Sequence, residues 1–202
     1  MDNGASSYRR FLDGDDNGIA ELVRAYKDGL ILYLNGYVRN IYLAEELTED
    51  TFFRLITRKP HFSGKSTFKS WLYAIGRNVA VDYIRHNARL ISMPVEDMEG
   101  CLEQEQSLEQ AYLKEERKIL LHRAISQLPT DYGTILWLVY FEGFSNREAA
   151  AVLKKSDKQI KNLLYRAKQS LKSKLEKEGF KFETLQLKYH PQKGARKQTT
   201  LR

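Results

Sequence analysis

Ser145 to Leu175 reads SNREAAAVLKKSDKQIKNLLYRAKQSLKSKL. Two serines in it each stand three residues ahead of a long polar side chain: Ser145 with Glu148, and Ser156 with Gln159. In such a pair the serine hydroxyl accepts from an amide one turn into a helix, while the longer side chain reaches back to the serine's own amide. Both contacts satisfy donors that a helix start leaves open. The spacing predicts a short helix from Asn146 to Leu153, a tight turn at Lys154 and Lys155, and a longer helix from Asp157. That is the outline of a helix-turn-helix.

On a 3.6-residue wheel the longer helix gathers Ile160, Leu163, Leu164, Ala167 and Leu171 on one side. The other side carries Lys158, Asn162, Tyr165 and Gln169, flanked by Lys161 and Arg166. These are donors of the kind that read base edges or hold phosphates in a major groove, although an ordinary amphipathic helix with a lysine-rich wet face has the same wheel. Upstream, Leu113 to Leu128 has helical periodicity, Pro129 opens a turn, and Tyr132 to Phe141 is apolar enough to be buried. Lys154 stands at the turn; a left-handed conformation there carries a modest cost for a residue with a Cβ.

The N-terminal half is also helical. From Gly18 to Asn40, apolar residues recur at three- and four-residue steps from Ile19 to Tyr37, after Asp15 to Asn17 as cap candidates. A second helix is predicted from Leu43 to Ile56, with Leu47, Phe52, Leu55 and Ile56 inward and Glu45, Glu46, Glu49 and Asp50 on the polar side. The loop TRKPHFSGKS, Thr57 to Ser66, precedes a third helix over 66–89 with Phe68, Trp71, Leu72, Ile75 and Val79 along one side. Strand signals are almost absent, and no sustained repeat appears. Between the halves, ISMPVEDMEGCLEQEQSLEQ, Ile91 to Gln110, has a proline, a glycine and few large apolar residues, which is the composition of a linker.

Charge follows the same division. The chain has 202 residues and a net charge of +7. Residues 58–91 carry seven Lys/Arg against one carboxylate, 92–116 carry one against eight, and 117–178 carry thirteen against six. Two cationic surfaces held apart by an anionic connector point toward nucleic acid. The lone Cys101 has no second thiol with which to pair and no neighbouring ligand set. No window approaches the roughly 18 apolar residues of a membrane span, and the polar N-terminus is unlike a signal peptide; a cytoplasmic protein without membrane insertion is expected. The four histidines are dispersed and no glycine-rich phosphate loop is present, so neither an enzyme, a metal site nor a cofactor is expected.

Three segments resemble the sigma-70 family of bacterial RNA polymerase sigma factors, in its extracytoplasmic function (ECF) subfamily. They are LAEELTEDTFFRL from Leu43, FKSWLYAIGRNVAVDYIRHNAR from Phe68, and LPTDYGTILWLVYFEGFSNREAAAVLKKSDKQIKNLLYRAKQSL from Leu128. The resemblance implies an all-α chain of two small helical domains. These are a region 2 bundle over 1–90 and a region 4 helix-turn-helix over 113–178, with an acidic flexible linker over 91–112 and a basic tail over 179–202. It implies binding to core RNA polymerase, through the clamp and flap regions of its large subunits, and to promoter DNA, with melting and transcription initiation from an alternative regulon. An anti-sigma factor is a further partner that the resemblance brings in.

By the same resemblance, Glu46, Glu49, Asp50 and Arg54 meet the polymerase clamp. A single strand is held by cations tracking phosphates and by rings that receive unstacked bases. Lys59, Lys65, Lys69, Arg77 and Arg85 fit the first role, and His61, Phe62 and Tyr73 the second, with Asn78 and Asp82 at the family's Asn and Asp positions near the minus-10 bases. Trp71 and Phe68 share the apolar face and belong to the core. The minus-35 duplex falls to Ser156, Lys158, Gln159, Lys161, Asn162, Tyr165 and Arg166. Glu46, Glu49, Gly133, Lys154 and Leu163 depart from the family's usual residues, so base preference does not carry over. Two other classes remain: a free-standing helix-turn-helix regulator, and a scaffold whose basic faces bind RNA or an anionic membrane.

Overall fold

The computed structural model describes residues 3–90, 121 and 123–177, all of whose regular elements are helices. The acidic linker, Cys101, most of the helix expected over 113–128 and the basic tail lie outside these residues. The N-terminal half comprises α1 (Asn3–Leu12), α2 (Asn17–Val38), α3 (Ile41–Arg58) and α4 (Phe68–Leu90). The C-terminal half comprises α5 (Thr130–Leu136), a π-helical turn (Trp137–Phe141), α6 (Asn146–Leu153) and α7 (Asp157–Lys177).

Helix α1 is an addition to the sequence reading, which treated the first residues only as polar chain. Tyr8 and Phe11 are its main apolar signal, too little for a helix that stands alone. Tertiary packing supplies the rest. Both rings are buried, the Tyr8 hydroxyl donates to the Pro60 carbonyl at 2.8 Å, and Gly4 lies so close to Phe68 and Tyr26 that a Cβ would stand 2.6 Å from each. The aspartates before α2 work as expected in part: Asp16 makes no side-chain cap, whereas the Asp15 carboxylate accepts from the Asn17 amide at 3.0 Å.

Helix α2 is the centre of the molecule. Leu30, Ile31, Leu32, Tyr33 and Leu34 are five consecutive buried residues, which one half-covered helix face cannot produce. Helices α1, α3 and α4 cover part of its circumference, and α5 covers another. Asn40 caps α3 by accepting from the Leu43 amide at 2.9 Å. Inside α3 the fully buried hydroxyls of Thr48 and Thr51 donate back to the carbonyls of Ala44 and Leu47, so neither is left unsatisfied. Helix α4 buries Phe68, Leu72, Val79 and Ala80 against α2 and α3.

Both capping boxes form. The Glu148 amide donates to the Ser145 hydroxyl at 3.3 Å and the Ser145 amide to the Glu148 carboxylate at 2.8 Å; Ser156 and Gln159 repeat the pattern at 3.3 and 2.8 Å. Lys154 ends α6 in the left-handed region at φ 53°, ψ 45°, with its amide bonded to the Ala150 carbonyl. The turn thus adopts the costlier of the two conformations open to it. Before it, the apolar run expected from Tyr132 is half-buried at Tyr132 and buried from Gly133 through Val139, and its last turn is π-helical.

The two halves are not held apart. Helix α4 packs against α6, and α2 against α5. Gly36 brings α2 to within 3.4 Å of a Thr134 methyl, measured from where its Cβ would be, and the Arg39 guanidinium donates to the Leu128 carbonyl at 2.7 Å. Alternating charge blocks carried no information about this packing.

Candidate nucleic-acid interface

The outer face of α7 matches the sequence wheel. Ile160, Leu164, Ala167 and Leu171 are buried, whereas Ser156, Lys158, Gln159, Lys161, Asn162, Tyr165, Arg166 and Gln169 are exposed. Tyr165 has 66% of its surface in solvent, more than a tyrosine accepts for packing alone. The capping box holds Ser156 and Gln159 against the helix start, so their side chains point along the entry turn. The result is a rigid cationic helix whose free donors all face outward, the form that enters a major groove.

On α3, Glu46 and Glu49 are exposed, and Asp50 pairs with Arg54 one turn on, at 2.9 Å. Between α2 and α3 lies an open, largely apolar recess of about 520 Å³ lined by Val23, Lys27, Glu49, Asp50, Phe53 and Ile56 among others. Phe53 is 61% exposed and Ile56 41%. Exposed apolar side chains ringed by carboxylates make a protein-docking surface more readily than a merely solvated one. The sequence reading found the carboxylates but assigned Ile56 to the core and passed over Phe53.

The residues proposed for the single strand divide into two groups. Lys59, His61, Lys65, Asp82 and Arg85 are exposed along the 59–67 loop and the solvent side of α4. Phe62, Lys69, Tyr73, Arg77 and Asn78 are not. Phe62 packs on Phe68 and Trp71 with ring centroids 5.6 and 5.2 Å away, so it closes the aromatic cluster instead of standing free. Trp71 and Phe68 join it as expected, with Tyr8 completing the group. Lys59 lies with its ammonium 5.1 Å from the Phe11 ring.

Tyr73 is fully buried, between Tyr33 of α2 and Phe144 of the C-terminal half, with centroids 5.2 Å away in both cases. Lys69 is half-buried beside it. Its ammonium meets the Glu142 carboxylate at 2.7 Å and the Glu142 carbonyl at 2.8 Å, and lies 5.2 Å from the Phe144 ring. Burial, then the neighbouring Glu142 charge, pushes the Tyr73 phenol well above the usual tyrosine range. Burial does the same for Tyr33 and Tyr37, whose hydroxyls share a 3.0 Å hydrogen bond. The buried Nε of Arg77 has no hydrogen-bond partner. Sequence reasoning missed Glu142 and Phe144, because a lone glutamate and phenylalanine flanking Gly143 look like turn residues until the fold brings α4 beside them.

Among the described residues no group of three or more His, Cys, Asp or Glu side chains is arranged to hold a metal ion, and no helix is long and apolar enough to cross a membrane. Residues 22–90 match the family description Sigma-70 region 2, and 118–171 match Sigma-70, region 4. Among curated relatives, the ECF RNA polymerase sigma factor SigM of Bacillus subtilis is 29% identical over 77% of this chain and 93% of its own. The RNA polymerase sigma-H factor of Pseudomonas aeruginosa is 27% identical over 81% and 89%. Among solved structures, the sigma factor RpoE of Bartonella quintana, in complex with the anti-sigma factor NepR, superposes with a TM-score of 0.59. It is 21% identical and covers 78% of this chain and 96% of its own. CnrH, in complex with the cytosolic domain of CnrY, gives the same score and identity over 87% and 96%. A helix-turn-helix with an outward cationic face, joined to a helical bundle that carries an acidic helix, is thus found where the two region matches fall, and the chain belongs to the sigma-70 family, as an ECF sigma factor.

Proposed function

We propose that the sigma-factor activity of this chain is divided among three surfaces. As a sigma factor it directs core RNA polymerase to promoters. The acidic α3 with its apolar recess docks on the polymerase, α7 reads the upstream promoter element as duplex, and the 59–67 loop with α4 holds the melted strand. The observation that carries the reading is the outward row of Lys158, Lys161, Asn162, Tyr165 and Arg166 on a capped, rigid helix. Such a row combines phosphate neutralisation with groups able to distinguish base edges.

The test is reconstitution. Core polymerase with the full chain should initiate from a set of promoters that core alone ignores, and the preference among upstream elements should follow α7. Initiation indistinguishable from core alone would sink the reading. A free-standing regulator leaves residues 22–90, which match region 2, without a task. An anti-sigma partner is part of the proposal, since the Bartonella relative was solved with one. Co-purification from the native cell is the direct check.

A further inference from the structure

Lys69 and Tyr73 lie in the middle of the strip assigned to the melted strand, yet they are covered by the chain itself. The cover is specific. One carboxylate, Glu142, sits 2.7 Å from the Lys69 ammonium, and one ring, Phe144, stands edge-on to Tyr73 at 5.2 Å. A carboxylate on a lysine and a ring on a ring are the two contacts that a single strand would make, phosphate to cation and base to aromatic face. The Glu142 side chain is 11% exposed and that of Lys69 29%, so water screens the pair only in part. Alongside, Thr67 donates to the Glu148 carboxylate at 3.2 Å, and Gly29 of α2 lies beneath Glu142 and Tyr73.

We propose that Glu142 and Phe144 form an autoinhibitory clasp: in the free chain they occupy Lys69 and Tyr73 in place of a DNA phosphate and base, so that the two halves must part before the strand can be held. This rests on the single-strand role proposed above for α4. It also accounts for a feature that packing alone leaves idle: the Arg77 Nε is buried without a hydrogen-bond partner. Groups left unsatisfied in the closed state are a cost that opening removes.

Gly29 provides a way to open the clasp without substituting any residue assigned to DNA or polymerase. A Cβ there would stand 2.6 Å from both the Glu142 carboxylate and the Tyr73 hydroxyl, so Gly29→Leu wedges the halves apart. Glu142→Gln removes the competing charge while keeping the shape. The probe is a fluorescent mixed-sequence single-stranded oligonucleotide, titrated into the full chain and followed by anisotropy, with small-angle scattering to report extension. A closed state that withholds the competent form weakens apparent affinity by the fraction that is open. Both variants should therefore bind the strand about fivefold or more tightly than the parent, as expected for release of one partly shielded ion pair. Duplex binding should be unchanged.

Equal strand affinity in the parent and both variants overturns the clasp, whether or not scattering shows extension. So does strand binding by none of the three when their holoenzymes open promoters normally. Failure of the underlying function looks different: no holoenzyme, parental or variant, would open a promoter. If Gly29→Leu does not fold, Glu142→Gln alone decides.

Discussion

Glu148 serves both halves of the molecule with one carboxylate. One oxygen accepts from the Ser145 amide and hydroxyl, closing the capping box of α6, and the other accepts from Thr67, whose hydroxyl also accepts from the Ser70 amide at the start of α4. Two helix starts in different halves are thereby tied together. Glu148→Ala should destabilise the chain by about 1–2 kcal/mol, the usual range for a lost cap. Glu148→Gln, which keeps one acceptor oxygen for the cap and gives up the one that meets Thr67, should cost less than Glu148→Ala. Urea melts of the three proteins check the order.

Substitutions on α7 should separate specificity from affinity. Asn162 is exposed and able to make paired contacts, so Asn162→Ala should change preference at particular upstream base pairs by about 1–3 kcal/mol if the contact is bidentate. Lys161→Ala should weaken all sequences alike and lower the salt dependence of binding by about one counterion. A library of upstream elements, ranked for each variant at two salt concentrations, measures both. An unchanged ranking for Asn162→Ala removes it from the readers.

On α3, Glu49→Lys combined with Asp50→Lys should abolish association with core polymerase. The half-exposed Asp50–Arg54 pair is lost and replaced by repulsion, but pairs this open to solvent contribute little, so stability should fall by about 1 kcal/mol or less. Polymerase titration alongside thermal melts distinguishes a docking defect from a folding one. Undiminished affinity would place the docking surface elsewhere.

Phe62 and Lys65, neighbours in the same loop, should behave differently. Phe62 is half-buried against Phe68 and Trp71, and its truncation should cost about 1–3 kcal/mol of stability, below the range for a fully buried ring. Lys65 is exposed, and Lys65→Ala should stay within about 0.5 kcal/mol of the parent. Both holoenzymes should bind closed promoters normally and open them slowly, as followed by permanganate reactivity of thymines. Pre-opened templates should rescue Lys65→Ala more fully than Phe62→Ala. Parental opening rates in both would make the loop a connector only.

The buried tyrosines predict alkaline lability. Tyr33, Tyr37 and Tyr73 have phenols raised above their unfolded value by burial. A group with a raised folded pKa contributes its full stability below the unfolded pKa, about 10 for tyrosine, and loses it as pH rises toward the folded value. Stability should therefore be flat up to about pH 9 and fall above about pH 10, with tyrosinate absorbance appearing in step with unfolding. Tyr73→Phe should reduce the slope. An equal slope in that variant would assign the alkaline transition to other groups.

Much of this architecture was legible because local signals agreed. Two serine capping boxes and an apolar wheel sufficed for α6 and α7, and the exposed face of α7 followed directly from them. Helix α1 was not legible, since two buried rings in ten residues leave no periodicity to read, and its stability comes from Phe68 and Pro60, more than fifty residues away. The burial of Tyr73 was not legible for a related reason. Its position on the α4 wheel is compatible with exposure, but Tyr33 of α2 covers one side of the ring and the approach of Glu142 and Phe144 covers the other. The run Leu30 to Leu34 was the available clue: five buried residues in succession mean that α2 has neighbours on every side, and the N-terminal half alone does not supply enough of them.

The π-helical turn at Trp137–Phe141 sets the phase of everything after it. There the Glu142 amide reaches back five residues to the Trp137 carbonyl, and the Phe144 amide six residues to Leu138, beyond Gly143 at φ 71°. One extra residue is thereby absorbed in the helix without lengthening the connection to α6. Deleting a single residue from the turn, such as Tyr140, would let it relax to ordinary α geometry with Glu142 and Phe144 near their present phase, whereas the same deletion inside α5 would rotate them by about 100° about the helix axis. The helix-turn-helix would then remain intact in itself but be indexed one tooth away from α4. In this protein the fit of the two halves is thus set by residue count as much as by residue identity, and the π turn is the place where one residue more or less can be taken up.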